Sequence, residues 1–449
     1  MRRIYFLVAW LLLALSAQGQ TLVNQGNLTL AGTGSLVLSQ TNVENTGSIS
    51  RSGTPTLKVM GTAVSLSSTT LIRVGIFEII GGASLTTALR TKELNLTAGN
   101  LEIKDGNLWV EQNLNAGSGW VKTQGTGELF QYVGSTLTTF PLLSADDGTS
   151  TGSLASLTLE NLGTADTFGI RAISYVPNTG VMANPNRPAN AADYLGSDVV
   201  EKTWVVNKQN AGGVQLQFAP SWSGSDEATG FDRSQAALAT REGATWKVAF
   251  PNASTGSDPY QNSAQLTLGS GDFLLSVQRA DSPALSPIEI CYAEPTTITA
   301  PTADMYLWSN GETTQSITVS STVAVTYSIT LTVSGQTAQI TTLIDVPIPE
   351  LQIAVSPSQT TEDDDLITLV FTFTRNRAAT CDLAVNFLAS GTATYNDDYY
   401  LVRGVDSFNG TSGTLTIPAG SLSHEVIFQA QQDAIFEPNE TITLTIQGP

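Results

Sequence analysis

The feature that most constrains this chain is a short phrase recurring from Asn27 to about Gly134: two apolar residues at i and i+2, then a turn rich in Gly or Asn. Leu28/Leu30, Leu36/Leu38, Leu57/Val59, Val64/Leu66, Leu94/Leu96, Leu101/Ile103 and Leu108/Val110 all obey it. Successive side chains of an extended chain point to opposite faces, so each pair lies on one face of a short strand. Strands this short, spaced closely and irregularly, suit a coil that stacks strand on strand, and a β-helix-like solenoid is the leading expectation for 20–134. An antiparallel sandwich is the open alternative, because alternation alone does not separate the two.

The rest of the chain is also expected to be all-β. The sequence is 41% hydrophobic but only 13% charged, with 39 Gly among 449 residues. That balance favours strands and turns over helices, and the length allows three or four domains. Met1-Arg2-Arg3, the apolar run Ile4 to Leu15 and the small-x-small triplet Ala17-Gln18-Gly19 have the layout of a secretory signal peptide over 1–19. The run is shorter than the roughly 20 apolar residues needed to span a bilayer, and no later segment is apolar enough. The expectation is a secreted, extracellular or cell-surface protein with no transmembrane segment in the mature chain.

From 135 to 282 the strands lengthen, aromatics enter and Pro marks the turns, which predicts a β-sandwich. Phrases such as Lys202-Thr203-Trp204-Val205-Val206 and Gly230-Phe231-Asp232-Arg233 resemble a sandwich region that follows such repeats in bacterial surface proteins. Trp204, Trp222 and Trp246 fall in alternating strands, where core packing is the default and a carbohydrate-stacking platform the alternative. Ser282-Pro283 and Ser286-Pro287 read as a linker. In the following module, 288–347, Tyr306 to Gly311 and Thr326 to Leu331 resemble a short immunoglobulin-like repeat of adhesins, with Trp308 plugging the core and Asn310-Gly311 making the turn. The two cysteines, Cys291 and Cys381, fall in different expected domains. Burial as small apolar residues is therefore expected ahead of pairing.

Formal net charge is −19, which argues against nucleic acid and in favour of cations. From Glu350 onward 13 acids face three arginines, so −10 of that charge sits in the last hundred residues. Here Glu362, then Gly391-Thr392-Ala393-Thr394 with Asp397-Asp398-Tyr399, then Pro418-Ala419-Gly420, then Asp433-Ala434-Ile435-Phe436-Glu437-Pro438-Asn439-Glu440 resemble, in order, the signature phrases of the Calx-beta domain. The resemblance covers 350–449. It implies a sandwich that binds Ca2+, with Glu362, Asp398, Asp433 and Glu437 as the main ligands and Asp397 and Glu440 as secondary ones. Gln432 replaces an acid common in the family, and about ten extra residues lie around Gly404 to Gly413. The chain ends after the sixth strand, so the Calx-beta sandwich is expected to lack its last strand.

Strand counting reaches the same place independently. Apolar alternation marks strands at Leu351 to Val355, Leu366 to Thr374, Leu383 to Leu388, between Tyr399 and Ile417, at Glu425 to Ala430 and at Thr441 to Ile446. The acids fall in the connections between strands one and two, three and four, and five and six. If strands run up and down, these share one end. Converging carboxylates repel one another, and a hard cation taking six to eight oxygens removes the repulsion. Asp363, Asp364 and Asp365 read as a solvated run, since consecutive charges do not all reach one ion.

No catalytic constellation is legible. His424 is the only histidine, and Gly148-Thr149-Ser150-Thr151-Gly152 fits a nucleophile-elbow pattern without its strand-turn-helix setting. The acids of the repeat region, Glu78, Glu93, Glu102, Asp105 and Glu111, are scattered. The expected function is a structural or adhesive surface protein with a calcium-binding module, not an enzyme, whose partners are calcium and other surface proteins or glycans. The alternative is a carbohydrate-binding or carbohydrate-processing surface protein that uses the solenoid or sandwich.

Overall fold

The computed structural model describes residues 13–16, 21–39, 41–144, 152–178, 193–210, 214–241, 243, 245–269, 272–290, 295–346, 350–361, 367–432 and 438–447. The protein is all-β, 59% strand and 2% helix, with an N-terminal β-solenoid of about 6 turns. Among the described residues no helix is long and apolar enough to cross a membrane.

Pairing direction decides between the two readings of the repeat region. Ser35–Ser39, Thr56–Val59, Ile72–Ile79, Leu89–Leu96, Leu108–Asn115 and Leu129–Val133 pair in parallel, one above the next. A second parallel stack runs through Asn42–Asn45, Val64–Ser68, Ala83–Leu85, Leu101–Ile103, Val121–Thr123 and Leu142–Ser144. Partners sit between 17 residues apart (Phe77↔Leu94) and 23 apart (Val43↔Leu66). A parallel pair needs a crossover rather than a tight hairpin, and here each crossover is one turn of the coil. The paired apolar residues fill its interior: Leu38, Val59, Leu66, Leu85, Leu96, Leu101 and Ile103 are 0% exposed.

Corners repeat as well as strands. Asn24 Nδ2 donates to Asn45 Oδ1 (2.6 Å), and Asn45 Nδ2 donates to Ser68 Oγ (2.6 Å), so turn amides bond from one turn to the next. At another corner Gly61, Gly81, Gly99 and Gly119 stack. A Cβ on any of the last three would overlap the carbonyl oxygen of the glycine one turn below.

The first sheet continues past the solenoid. Leu129–Val133 pairs in parallel with Leu108–Asn115 on one side and antiparallel with Asp166–Ile173 on the other. Val199–Lys208, Phe273–Arg279 and Ala236–Arg241 then extend it. A second sheet of Thr138–Phe140, Leu157–Asn161, Val214–Trp222 and Ala264–Leu268 makes the other layer. One apolar core runs without interruption from Leu36 to Val277, and the expected boundary at 134 lies within it. This compact unit is Met1–Pro283 with Leu331–Ala338.

The second unit is Ala284–Thr330 with Gln339–Pro449. A smaller module, whose Leu331–Ala338 stretch falls in the first unit, has one sheet ordered Ile288–Glu289, Gln336–Asp345, Val325–Val333, Met305–Trp308, and a second made of Thr296–Thr299 and Ser316–Val319. Trp308, 2% exposed, is buried as Ile298, Ile317, Ile329 and Leu331 of the same module are, and its Nε1 donates to Thr314 O (2.9 Å). The last sandwich pairs Leu351–Ser356, Thr368–Arg375, Ser423–Ala430 and Tyr399–Arg403 in one sheet, and Ser407–Phe408, Ser412–Ile417, Leu383–Gly391 and Ile442–Ile446 in the other. Residues 404–413 carry the chain from the first sheet to the second. Phe408 then enters the core, with ring centroids 5.9 Å from Phe387, 4.9 Å from Tyr395 and 5.5 Å from Phe428.

The cysteines correct the sequence reading. Cys381 is disulfide-bonded, and the only other cysteine is Cys291, which lies outside the described residues. The expectation of burial as a free thiol therefore does not hold for Cys381.

The glycine stack makes a sharp prediction. Gly81→Val should lower stability by more than about 2 kcal/mol, because the side chain meets backbone that cannot yield. Gly34→Ala, whose Cβ would meet only Ala31 O at an ordinary 3.6 Å, should stay within about 0.5 kcal/mol. Denaturant midpoints of the two variants check the contrast.

Candidate acidic-loop site

The six sequence-derived ligands divide by position. Asp397, Asp398 and Glu440 are described, whereas Glu362, Asp433 and Glu437, together with Asp363, Asp364 and Asp365, lie outside the described residues. The strands that flank the undescribed segments still have a definite register.

Thr368, which opens the second strand just after 362–366, pairs with Gln429. Tyr399, which follows Asp397-Asp398, pairs with Ala430 on the other side of the same strand. Ser356, where the first strand ends, pairs with Val370. In the second sheet Gly391 pairs with Ile442. The connection after Gly391 is tied to the one before Ile442 by Thr392 N, which donates to Thr441 O (3.1 Å), and by Thr441 N, which donates to Thr392 Oγ1 (2.9 Å). The strand ends that bound all three acidic connections therefore meet at one pole of the sandwich.

Local geometry shapes the described part of that pole. Thr394 to Tyr399 forms a tight turn with Asn396 at φ +68°, a left-handed conformation that Asn tolerates better than most residues. Asp398 N donates to Thr394 O (2.9 Å), and the Asp398 carboxylate accepts from Thr394 N, so the side chain braces its own turn. Gln431 N donates to Asp398 O (2.8 Å), which fixes this turn beside the residues that lead into 433–437. Asp398 is half-buried, while Asp397 and Glu440 are exposed. Tyr399, 4% exposed, anchors the turn in the core, and burial pushes its hydroxyl pKa up, with Tyr395 and Asp398 adding to the rise.

The described parts of these connections carry oxygen-bearing side chains: Asp397, Asp398 and Glu440, the hydroxyls of Thr392, Thr394 and Thr441, and the amides of Asn396, Gln431 and Gln432. Oxygen sets suit Ca2+, whereas zinc favours nitrogen and sulfur. Among the described residues no group of three or more His, Cys, Asp or Glu is placed to hold a metal. A complete shell would need Glu362, Asp433 or Glu437. Sequence reasoning named Thr394 in its signature phrase but not its role in bracing the turn, and it missed Gln431. The signal for Thr394 was its spacing four residues before Asp398.

His424 is half-buried on Ser423–Ala430, with Nε2 3.1 Å from Gly404 O. Of the nucleophile-elbow phrase only Gly152 is described. Trp204 and Trp222 are 0% exposed, with Nε1 donating to Ala155 O (2.7 Å) and Glu227 Oε1 (2.9 Å), so neither presents a face for a sugar. No protein-family model matches the chain, and no curated protein is similar to it.

One strongly shifted acid lies elsewhere. Glu128 precedes the strand where parallel pairing gives way to antiparallel, and it is 8% exposed. Burial raises its pKa to about 7, against a smaller lowering by Arg171, itself 7% exposed. Gly169 beside it has no room for a side chain, since a Cβ there would lie 2.6 Å from Glu128 Oε2 and against the Phe130 ring.

Glu128 makes a pH prediction. Its folded pKa of about 7 exceeds the ordinary 4.5, so the folded state binds the extra proton between those values. Stability from this group is fully present below about pH 4.5 and is lost as pH rises through about 7, by about 3 kcal/mol. Glu128→Gln should flatten that part of the stability profile. Denaturation midpoints of both proteins between pH 5 and 8 provide the check.

Proposed function

We propose that the chain is a secreted cell-surface structural or adhesive protein whose last sandwich is a calcium-binding module similar to Calx-beta domains. The observation that carries this reading is the register that brings the strand ends flanking 357–367, 392–398 and 431–441 to one pole. Two supports come from elsewhere in the chain. The N-terminal segment has the layout of a secretory leader, and a disulfide at Cys381 suits an oxidising compartment.

The physical role of calcium follows from the charge. The last hundred residues carry −10, and carboxylates brought close to one another at this pole would destabilise it. At about 4 Å two like charges cost about 1 kcal/mol in water and several times more near a protein surface. A divalent cation ligated by Glu362, Asp398, Asp433 and Glu437, with Asp397 and Glu440 outside them, would turn that repulsion into cross-links between loops. The bound ion would hold the loops rigid without performing chemistry. Surface proteins or glycans are the candidate partners of the whole protein.

Calcium added to the protein should raise the melting temperature of the last sandwich, with stabilisation reaching about 2.7 kcal/mol at a hundredfold excess over Kd. The Asp433→Asn, Glu437→Gln double variant should lose the response while keeping its calcium-free melting temperature or gaining slightly. An unchanged melting temperature in the wild type at millimolar calcium would refute the reading.

A further inference from the structure

We infer that the outer face of the solenoid carries a binding site for an acidic glycan, in which Arg51, Arg90 and Trp109 hold a uronate carboxylate. The inference rests on the surface-protein reading only for where the glycan is met, and it does not depend on calcium.

Parallel register builds the site. Alternation turns Leu89, Thr91, Leu108 and Val110 into the coil, all 5% exposed or less, so Arg90 and Trp109 between them face outward. In the ladder Arg73 pairs with Arg90, Arg90 with Trp109, and Trp109 with Phe130, which sets two guanidinium groups and two aromatic rings in one row across the face. The Arg90 guanidinium lies 5.3 Å from the centre of the indole, and the Phe130 ring stacks on the indole at 5.2 Å with 19° between the planes. These neighbours, one strand to either side, cover the faces of the indole and leave its N–H edge as the group it can offer.

Arg51, on Ser48–Gly53, reaches the same place. Its Nη2 donates to Glu111 Oε2 (2.9 Å), whose other oxygen lies 3.9 Å from Arg90 Nε, too far for a hydrogen bond. Glu111 thus shows that a carboxylate fits between the two arginines, while it satisfies only part of their donors. Among the described residues Arg51 Nη1, Arg90 Nε and Trp109 Nε1 are buried without a hydrogen-bond partner. Buried donors are nearly always paired, because leaving them unmade is costly, and here three lie in one cluster. Arg73, exposed at the end of the row, adds a further cation. Three arginines against one carboxylate leave the cluster cationic in a chain of net charge −19.

An oxyanion is the ligand that answers these donors. A guanidinium and a carboxylate match as planar, two-pronged partners, and the indole N–H supplies a further bond. The Arg51 and Arg90 side chains are 17% and 40% exposed, so a ligand enters by turning flexible stems and the sheet stays closed. Beyond Glu111 the face continues with the exposed amides of Asn113 and Asn115, on either side of Leu114, which packs on the core. Amides both donate and accept, which suits the hydroxyls of a sugar better than the side chains of an acidic peptide. Carboxylate and hydroxyls on one ligand describe a uronate-bearing glycan.

Titrating oligogalacturonate into the full-length protein with a calcium chelator present tests the inference separately from the calcium site. The expected result is binding that weakens as salt is added, with the Trp109 indole N–H resonance shifting as the ligand binds. Arg90→Gln should weaken binding about tenfold, and so should Trp109→Phe, which keeps a ring against Phe130 but removes the donor. Arg73→Gln, at an exposed position, should weaken it about threefold with an unchanged denaturant midpoint. No binding of oligogalacturonate or of hyaluronate, or equal binding of a neutral oligogalactose or of poly-glutamate, would overturn the glycan site. Wild-type affinity in both Arg90→Gln and Trp109→Phe would overturn its placement.

Discussion

Everything in this molecule depends on strand register maintained by backbone hydrogen bonds. In the solenoid each turn must return to the same height after 17 to 23 residues, or the apolar pairs leave the interior. Stacked asparagines and glycines enforce that return, the former by bonding between turns and the latter by leaving no room for a side chain. The same ladder then reverses direction at Leu129–Val133 and becomes a layer of the sandwich, so a continuous sheet and a continuous core replace an interface.

Register also sets the chemistry of the last module. Neither Asp397 nor Asp398 is unusual by itself, and the Asp398 carboxylate is engaged with its own turn. What distinguishes the pole is that Thr368, Tyr399, Ala430, Gly391 and Ile442, the strand ends that flank the acidic connections, all lie there. The opposite pole holds Arg375, Arg377 and Cys381. The acids Asp397 and Asp398 belong to the first pole, and Arg375 and Arg377, with Glu350 and Asp382, to the other.

Much of this was legible in the sequence because it follows from period-two alternation. The six strands counted between Leu351 and Ile446 correspond to Leu351–Ser356, Thr368–Arg375, Leu383–Gly391, Tyr399–Arg403 with Ser412–Ile417, Ser423–Ala430 and Ile442–Ile446. Trp308 was readable as a core plug from its single aromatic position beside an Asn-Gly turn. Alternation does not reveal what lies across a sheet. It could not place Phe408 in the core, because the excursion 404–413 has no periodicity of its own. The shared core across 134 was hidden for a related reason: a change in strand length was read as a change of domain, whereas the sheet passes straight through. The disulfide at Cys381 was discounted because distance was inferred from domain boundaries drawn in the sequence. Glu128 offered no signal, since its burial depends on Gly169 and Arg171, which lie far along the chain.

The central claim is that a cation is held at one pole of the last sandwich and nowhere else in that module. Substituting paramagnetic Mn2+ for calcium and recording amide relaxation tests it most directly. The account predicts strong broadening at Thr394, Gln431 and Thr441, with the Asn376 and Cys381 amides at the far pole unaffected. Broadening that is absent, or spread evenly over both poles, would contradict it.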